Sequence, residues 1–129
     1  MKWIQSKCRS MGLLAEGTGR FEIAALVDDR AMITAIDKRG RPQSAKPLSV
    51  LWQVFEAHGW SERNTIMIDD VRHNFEMNMA NGIVCKPFKN SRVLRDTDVE
   101  LRRLAKYLTG IPHDADLSKI PHERRLREL

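Results

Sequence analysis

The stretch NTIMIDD, residues 64–70, decides the fold. Asn64 to Ile68 has the length and apolar character of a short buried strand, and it ends in two adjacent carboxylates, Asp69 and Asp70. In open parallel sheets, ligands sit beyond the carboxyl ends of the strands. Two carboxylates placed there repel each other, and a bound cation relieves that repulsion. Mg²⁺ suits such a pair, because it takes hard oxygen ligands, one or two from protein, with water and phosphate completing its shell. The competing reading is that Asp69 and Asp70 cap the segment that starts at Arg72-His73.

Toward the C-terminus, residues 71–80 read as partly helical, Asn81-Gly82 as a turn, and Ile83 to Cys85 as another short strand. Asn74 can hydrogen-bond the ligands of a metal at the doublet, or serve as a turn residue; both readings stand. Toward the N-terminus, Pro47 opens a helix at a position where its missing N–H costs nothing. Leu48, Leu51, Trp52 and Phe55 follow helical spacing, and Gly59 closes the helix. Lys46, just before that helix, is placed to offer a compact positive charge to a phosphate, although a lysine taken alone reads as ordinary surface.

Further out, Phe21 to Val27 is an apolar run expected to form a strand, ending at Asp28-Asp29. Ala31 to Ile36 reads as a second strand or an irregular segment, and KRGRPQSA, residues 38–45, as a polar loop. Residues 1–13 suggest an amphipathic helix with Trp3, Ile4, Cys8 and Met11 on one face, followed by a loop at 15–20. Asp98 is expected to cap a helix that places Leu101, Leu104, Ala105 and Leu108 on one face and ends at Gly110 and Pro112. Domain organisation follows: residues 1–112 form the main unit, and 113–129 a tail with a short helix. Strands alternating with helices argue for an α/β architecture with a parallel sheet.

Asp96-Thr97-Asp98-Val99 imitates the Asp-x-Asp-x-Thr/Val signature of enzymes that form an aspartyl-phosphate. That signature needs a buried apolar strand in front of it. Here Arg92-Val93-Leu94-Arg95 precedes it and a helix follows, so these aspartates read as capping groups. His58, His73, His113 and His122 share no metal-site spacing.

Composition narrows the classes. The 129 residues carry a net charge of +5, with Lys and Arg spread along the chain. That balance admits an acidic or phosphorylated partner, but without aromatic interleaving it does not suggest nucleic acid. No apolar run approaches the ~20 residues of a membrane span. Two cysteines, Cys8 and Cys85, are too few for a disulfide framework and fit a reducing compartment.

The strings MKWIQSK, AMIT, KPLSVLW, NTIMIDDVRHNFEMNMANG and KPF, with the RD-x-D-x-E-L-x-x-L-x-x-YL pattern at 95–108, resemble one family. They are similar to the C-terminal part of the CTD phosphatases of the haloacid dehalogenase superfamily, specifically the ubiquitin-like-domain-containing kind that acts on nuclear proteasomes. The match runs from Met1 to about residue 110 and continues more weakly to the end. It implies a Mg²⁺-dependent protein serine/threonine phosphatase: one Asp attacks phosphorus, a second protonates the leaving oxygen, and a Ser/Thr and a Lys hold the phosphoryl oxygens. On this sequence, Lys46 falls on the motif lysine. Asp69 and Asp70 fall on the acidic motif, with Asp70 as the direct ligand and Asp69 as a ligand or its support. The resemblance implies a nuclear location and phosphoserine or phosphothreonine substrates on proteasome subunits or RNA polymerase II tails.

The family's nucleophile strand precedes the stretch that matches here and lies mid-sheet, and its motif does not occur in these 129 residues. The expected fold is therefore an incomplete haloacid-dehalogenase-like, Rossmannoid parallel sheet with flanking helices. In it, the 21–27 and 64–68 strands either pair directly or leave apolar surface exposed. The expected function is the C-terminal half of a phosphatase, inactive alone. The alternative is a non-catalytic module that binds phosphoproteins or the proteasome. A receiver-like phosphoacceptor domain, with Asp28 or Asp29 at a neighbouring strand end, is a third possibility that the resemblance disfavours.

Overall fold

The computed structural model describes residues 2–14 and 21–129, so the loop expected at 15–20 lies outside the described residues. The chain divides into two compact units, Met1–Met32 and Ile33–Leu129.

In the first unit, helix α1 (Lys2–Ser10) forms where the amphipathic pattern predicts it, but none of its residues is buried, and Trp3 and Met11 are well exposed. The strand expected over Phe21 to Val27 is absent: these residues adopt no regular secondary structure, and Phe21 and Val27 remain exposed. An apolar, β-branched composition favours a strand only where a neighbour supplies the hydrogen-bonding ladder. The run ends in a single 3₁₀ turn, Asp29–Ala31, started by the Asp28 carboxylate accepting from the Arg30 N–H.

The second unit is mixed α/β, with two separate two-stranded sheets among the described residues. Strands β1 (Ile33–Ile36) and β2 (Pro42–Ala45) pair antiparallel, Ile33 opposite Ala45 and Ile36 opposite Pro42. The polar segment read as a loop is thus half turn and half strand. Its composition is that of a loop because the hairpin is mostly exposed. The turn is built by Asp37, whose Oδ1 accepts from the Arg39 and Arg41 N–H groups, and by Gly40, at φ 75°. A residue with a side chain is strained at that φ.

Helix α2 (Leu48–Val54) follows Pro47 as expected, then tightens into a 3₁₀ turn, Glu56–His58, that ends at Gly59. Strand β3 (Met67–Asp69) pairs in parallel with β4 (Gly82–Val84), Met67 opposite Gly82 and Asp69 opposite Val84. Between them, residues Arg72–Asn81 form 3₁₀ turns broken by non-helical backbone at Phe75 and Asn78. A short helix α3 (Ser91–Leu94) precedes α4 (Glu100–Thr109), and α5 (His122–Arg127) closes the chain.

The core lies on one face of the β3–β4 pair. Ile83, Leu104, Tyr107 and Leu126 are buried there, with Ile66, Leu108 and Ile111 packed against them. Removing each such side chain from water contributes about 1.5–3 kcal/mol. The buried face of α4 is therefore Leu104, Tyr107 and Leu108. Leu101 is 70% exposed and Ala105 is also exposed, so the expected stripe is rotated toward the aromatic residue, which α5 covers. On the opposite face, Phe75 is fully buried against Gly82.

Candidate functional site

Strand β3 ends at Asp69 and the chain bends at Asp70, and this separates the two carboxylates. Asp69, the last residue of β3, shares the face of Met67, toward the 72–81 segment. Its Oδ1 accepts from the Val71 N–H at 2.8 Å and from Asn74 Nδ2 at 2.9 Å, while Oδ2 meets the Lys46 ammonium in an ion pair. Burial pushes the Asp69 carboxyl up, but the Lys46 ammonium, the Val71 N–H and the Asn74 amide outweigh it and hold it below the usual range. Asp70 is exposed and lines an open cleft of about 950 Å³, whose wall Asp69 also reaches. The Asp70 carboxylate has no hydrogen-bond or ion-pair partner among the described residues.

The lysine is positioned by the segment that follows the doublet. The Lys46 backbone N–H donates to the Asn74 carbonyl at 2.6 Å, and the Leu48 N–H donates to Asn78 Oδ1 at 3.0 Å. Asn78 thus serves the first turn of α2, where Pro47 supplies no side-chain cap. Asn74 is buried and tied to both partners: its amide holds Asp69 and its carbonyl holds Lys46. Asn81 braces the approach to β3 from behind, with Nδ2 donating to the carbonyls of Glu62 at 2.6 Å and Thr65 at 2.8 Å.

Three of the four residues singled out in the sequence meet in one place. Lys46, Asp69 and Asn74 form one connected network, and Asp70 flanks it on the cleft side. Sequence reasoning missed Asn78 and Asn81, although the Asn-x-x-x-Asn spacing at 74 and 78 after an acidic strand end is the signal that locates the first. It also missed what lines the cleft: Cys85, Phe88, Glu100 and Leu101 stand around Asp70. Burial, followed by the carboxylates of Glu100, Asp70 and Asp98, pushes the Cys85 thiol up. A protonated thiol is a poor nucleophile, so the cleft does not present a cysteine-phosphatase site. Asp98 accepts from the Glu100 N–H at the start of α4, and Asp96 sits on an exposed turn after α3; neither follows a strand.

Among the described residues no three His, Cys, Asp or Glu side chains converge as a metal centre. The donor chemistry at the doublet fits one class of cation. Asp70 offers unengaged hard oxygens to the cleft, and a Mg²⁺ held by one or two carboxylates completes its shell with water and phosphate.

Residues 23–118 match the NLI interacting factor-like phosphatase family. The chain is 39% identical to a ubiquitin-like domain-containing CTD phosphatase of Arabidopsis thaliana over 96% of its length, covering 36% of that protein. It is 37% identical to ubiquitin-like domain-containing CTD phosphatase 1 of Xenopus laevis over its full length, covering 40% of that protein. With the human protein of that name it shares 37% identity over 95% of its length, covering 38% of the protein. The chain therefore spans about two fifths of the length of these relatives. The resemblance seen in its motifs extends along the whole chain, which belongs to the NLI interacting factor-like phosphatase family.

Proposed function

We propose that this chain supplies the phosphate-binding lysine and the Mg²⁺-binding carboxylates of a protein serine/threonine phosphatase. The attacking Asp would be contributed by sequence outside these 129 residues. The observation that supports this most directly is the meeting of Lys46 with Asp69 while Asp70 stays open to the cleft. Two carboxylates outweigh one ammonium, so the spot is net negative and repels a phosphate as it stands. A divalent cation on Asp70 would reverse that sign, and bound there it would neutralise the phosphoryl oxygens as charge moves onto the leaving group. Asp69 keeps Lys46 aimed, Asn74 keeps Asp69 aimed, and the half-exposed lysine can pass its ammonium from Asp69 to a phosphoryl oxygen.

The chemistry follows from the family. An Asp carboxylate oxygen forms a bond to phosphorus as the bond to the serine or threonine oxygen breaks. A second Asp gives that oxygen its proton, and water then releases inorganic phosphate from the acyl phosphate. The fold this implies is a haloacid-dehalogenase-like sheet, of which β3 and β4 are one part. The names of the relatives support a phosphorylated CTD as the substrate, and the motif resemblance supports phosphoserine or phosphothreonine on RNA polymerase II tails. The motif resemblance supports proteasome subunits as well, and a nuclear location. Binding without turnover is the alternative, favoured by the absence of the nucleophile motif from this sequence.

The test is a Mn²⁺ titration followed by water-proton relaxation, run beside an aryl-phosphate assay with Mg²⁺. The 129-residue chain should bind Mn²⁺, Asp70→Asn should abolish that binding, and neither protein should turn over. Metal binding unaffected by Asp70→Asn would remove the site; turnover lost in Asp70→Asn would show that a nucleophile resides within the chain.

A further inference from the structure

A second site lies at the other end of β2 from Lys46. A groove of about 360 Å³ opens between the hairpin turn and the start of the 72–81 segment. Lys38, Arg39, Arg41 and Arg72 line it with His73, and its carboxylates are Asp37 and Glu76. Asp37 is turned into the hairpin: it accepts from the Arg39 and Arg41 N–H groups, pairs with the Arg41 guanidinium and accepts from Gln43. Those bonds, the Arg41 N–H foremost, hold its carboxyl at about 2, so its charge is spent within the turn. Arg72 pairs with Glu123 of α5 from outside the groove. Lys38 and Arg39 have no ion-pair partner among the described residues. A concave surface with several cations, little opposing carboxylate and no aromatic stacking platform has the chemistry of an acidic-peptide site rather than a nucleic-acid one.

We infer that this groove binds the acidic flank of a protein substrate. Acidic residues would enter it while the phosphorylated residue lies at Lys46 and Asp70. The groove itself does not depend on the phosphatase reading, but the spacing does. From Lys46 back along β2 to Arg41 is roughly 13–17 Å at a rise of about 3.3 Å per residue. An extended peptide covers that distance in four to five residues. The preferred substrate therefore carries Asp or Glu about four to five positions from its phosphoserine or phosphothreonine.

The test uses the full chain and fluorescent peptides. An unphosphorylated peptide with a run of four Glu should bind, and should weaken steeply with salt. The same peptide with Gln for Glu should not bind. Lys38→Glu/Arg39→Glu should weaken the Glu peptide roughly tenfold or more, since two favourable pairings become repulsive. Both side chains are exposed on the turn, and an unchanged thermal melt certifies the fold. Asp70→Asn should leave this affinity unchanged, which separates failure of the groove from failure of the metal site. Equal binding of the Gln peptide, or indifference to Lys38→Glu/Arg39→Glu, would overturn the proposal. So would a single-stranded oligonucleotide that binds more tightly than the Glu peptide and responds equally to the charge reversal.

Discussion

Gly82 lies against the ring of Phe75 so closely that a methyl group on its Cα would stand 2.2 Å from Phe75 Cδ2. Phe75 is fully buried, and it sits on the kinked segment that also provides Asn74. Gly82 opens β4 opposite Met67, so ring and strand cannot separate without disturbing the parallel pair. Gly82→Ala should therefore destabilise the chain by about 1–3 kcal/mol, the usual range for overpacking. Urea denaturation monitored by far-UV circular dichroism measures it. Adding Phe75→Leu should restore part of the loss; a variant as stable as the parent would mean that the contact is not enforced.

Lys46 and Asp69 form the charged half of the site. With burial pushing the Asp69 carboxyl up and Lys46 the strongest influence pulling it down, Lys46→Met should raise its titration midpoint. Carbon-detected NMR of the Asp side chains reports the shift. In the parent, the folded value lies below the unfolded one. The stabilisation is thus fully present above about pH 4 and is lost as pH falls through the folded value. An unmoved midpoint in Lys46→Met would show that Val71 and Asn74 alone fix the carboxylate.

The two asparagines that sequence reasoning missed make separable predictions. Asn78→Ala removes the acceptor for the Leu48 N–H and should cost about 0.5–2 kcal/mol, as for loss of a helix cap. Asn81→Ala leaves two carbonyls, of Glu62 and Thr65, without their donor and should cost about 1–3 kcal/mol. Thermal melts of both variants rank them, with Asn81→Ala the less stable.

His122 sets a pH dependence. It is buried, its Nε2 lies 2.8 Å from the Leu117 carbonyl and its Nδ1 lies 2.7 Å from Tyr107 Oη. A carbonyl only accepts, so Nε2 carries the hydrogen and Nδ1 accepts from the tyrosine hydroxyl. Burial foremost, with nearby Arg125 assisting, pushes its pKa below the ordinary value. Neutral His122 thus contributes stability fully above about pH 6.5, and that contribution is lost as pH falls through the depressed folded value. Urea midpoints taken at pH 7.5 and 5.5 should drop for the parent chain, and the drop should shrink in His122→Gln. An equal drop in both would assign the dependence elsewhere.

Much of the site was legible because its elements carry strong local signals. NTIMIDD reads as a strand end on its apolar run and terminal charge, and KPLSVLW reads as a helix start on Pro47 and its spacing; the structure has both, with the strand confined to Met67–Asp69 rather than running from Asn64 to Ile68. The misses share a physical cause: they depend on partners that are distant in sequence. Phe21–Val27 has strand composition without a ladder, and Pro42–Ala45 has loop composition but acquires a partner in Ile33–Ile36. The α4 stripe loses Leu101 and Ala105 and gains Tyr107 because α5, whose Leu126 and His122 cover Tyr107, lies beyond the window that contains Leu101. The division of labour between Asp69 and Asp70 arises because the strand ends between them, one residue later than the sequence places its end.

The latch between Lys46 and residues 74–78 bears on which length changes the chain could tolerate. Amine and carboxylate come from separate elements, yet both are gauged from one short stretch of backbone: Asn74 touches each, and Asn78 anchors the helix behind the amine. Adding or deleting one residue between Asp70 and Asn78 would rotate those asparagines off their marks and pull ammonium and carboxylate out of register together. The exposed turn at 38–41 and the loop at 86–90 take no part in that gauge, so insertions there should leave the spacing of the pair intact.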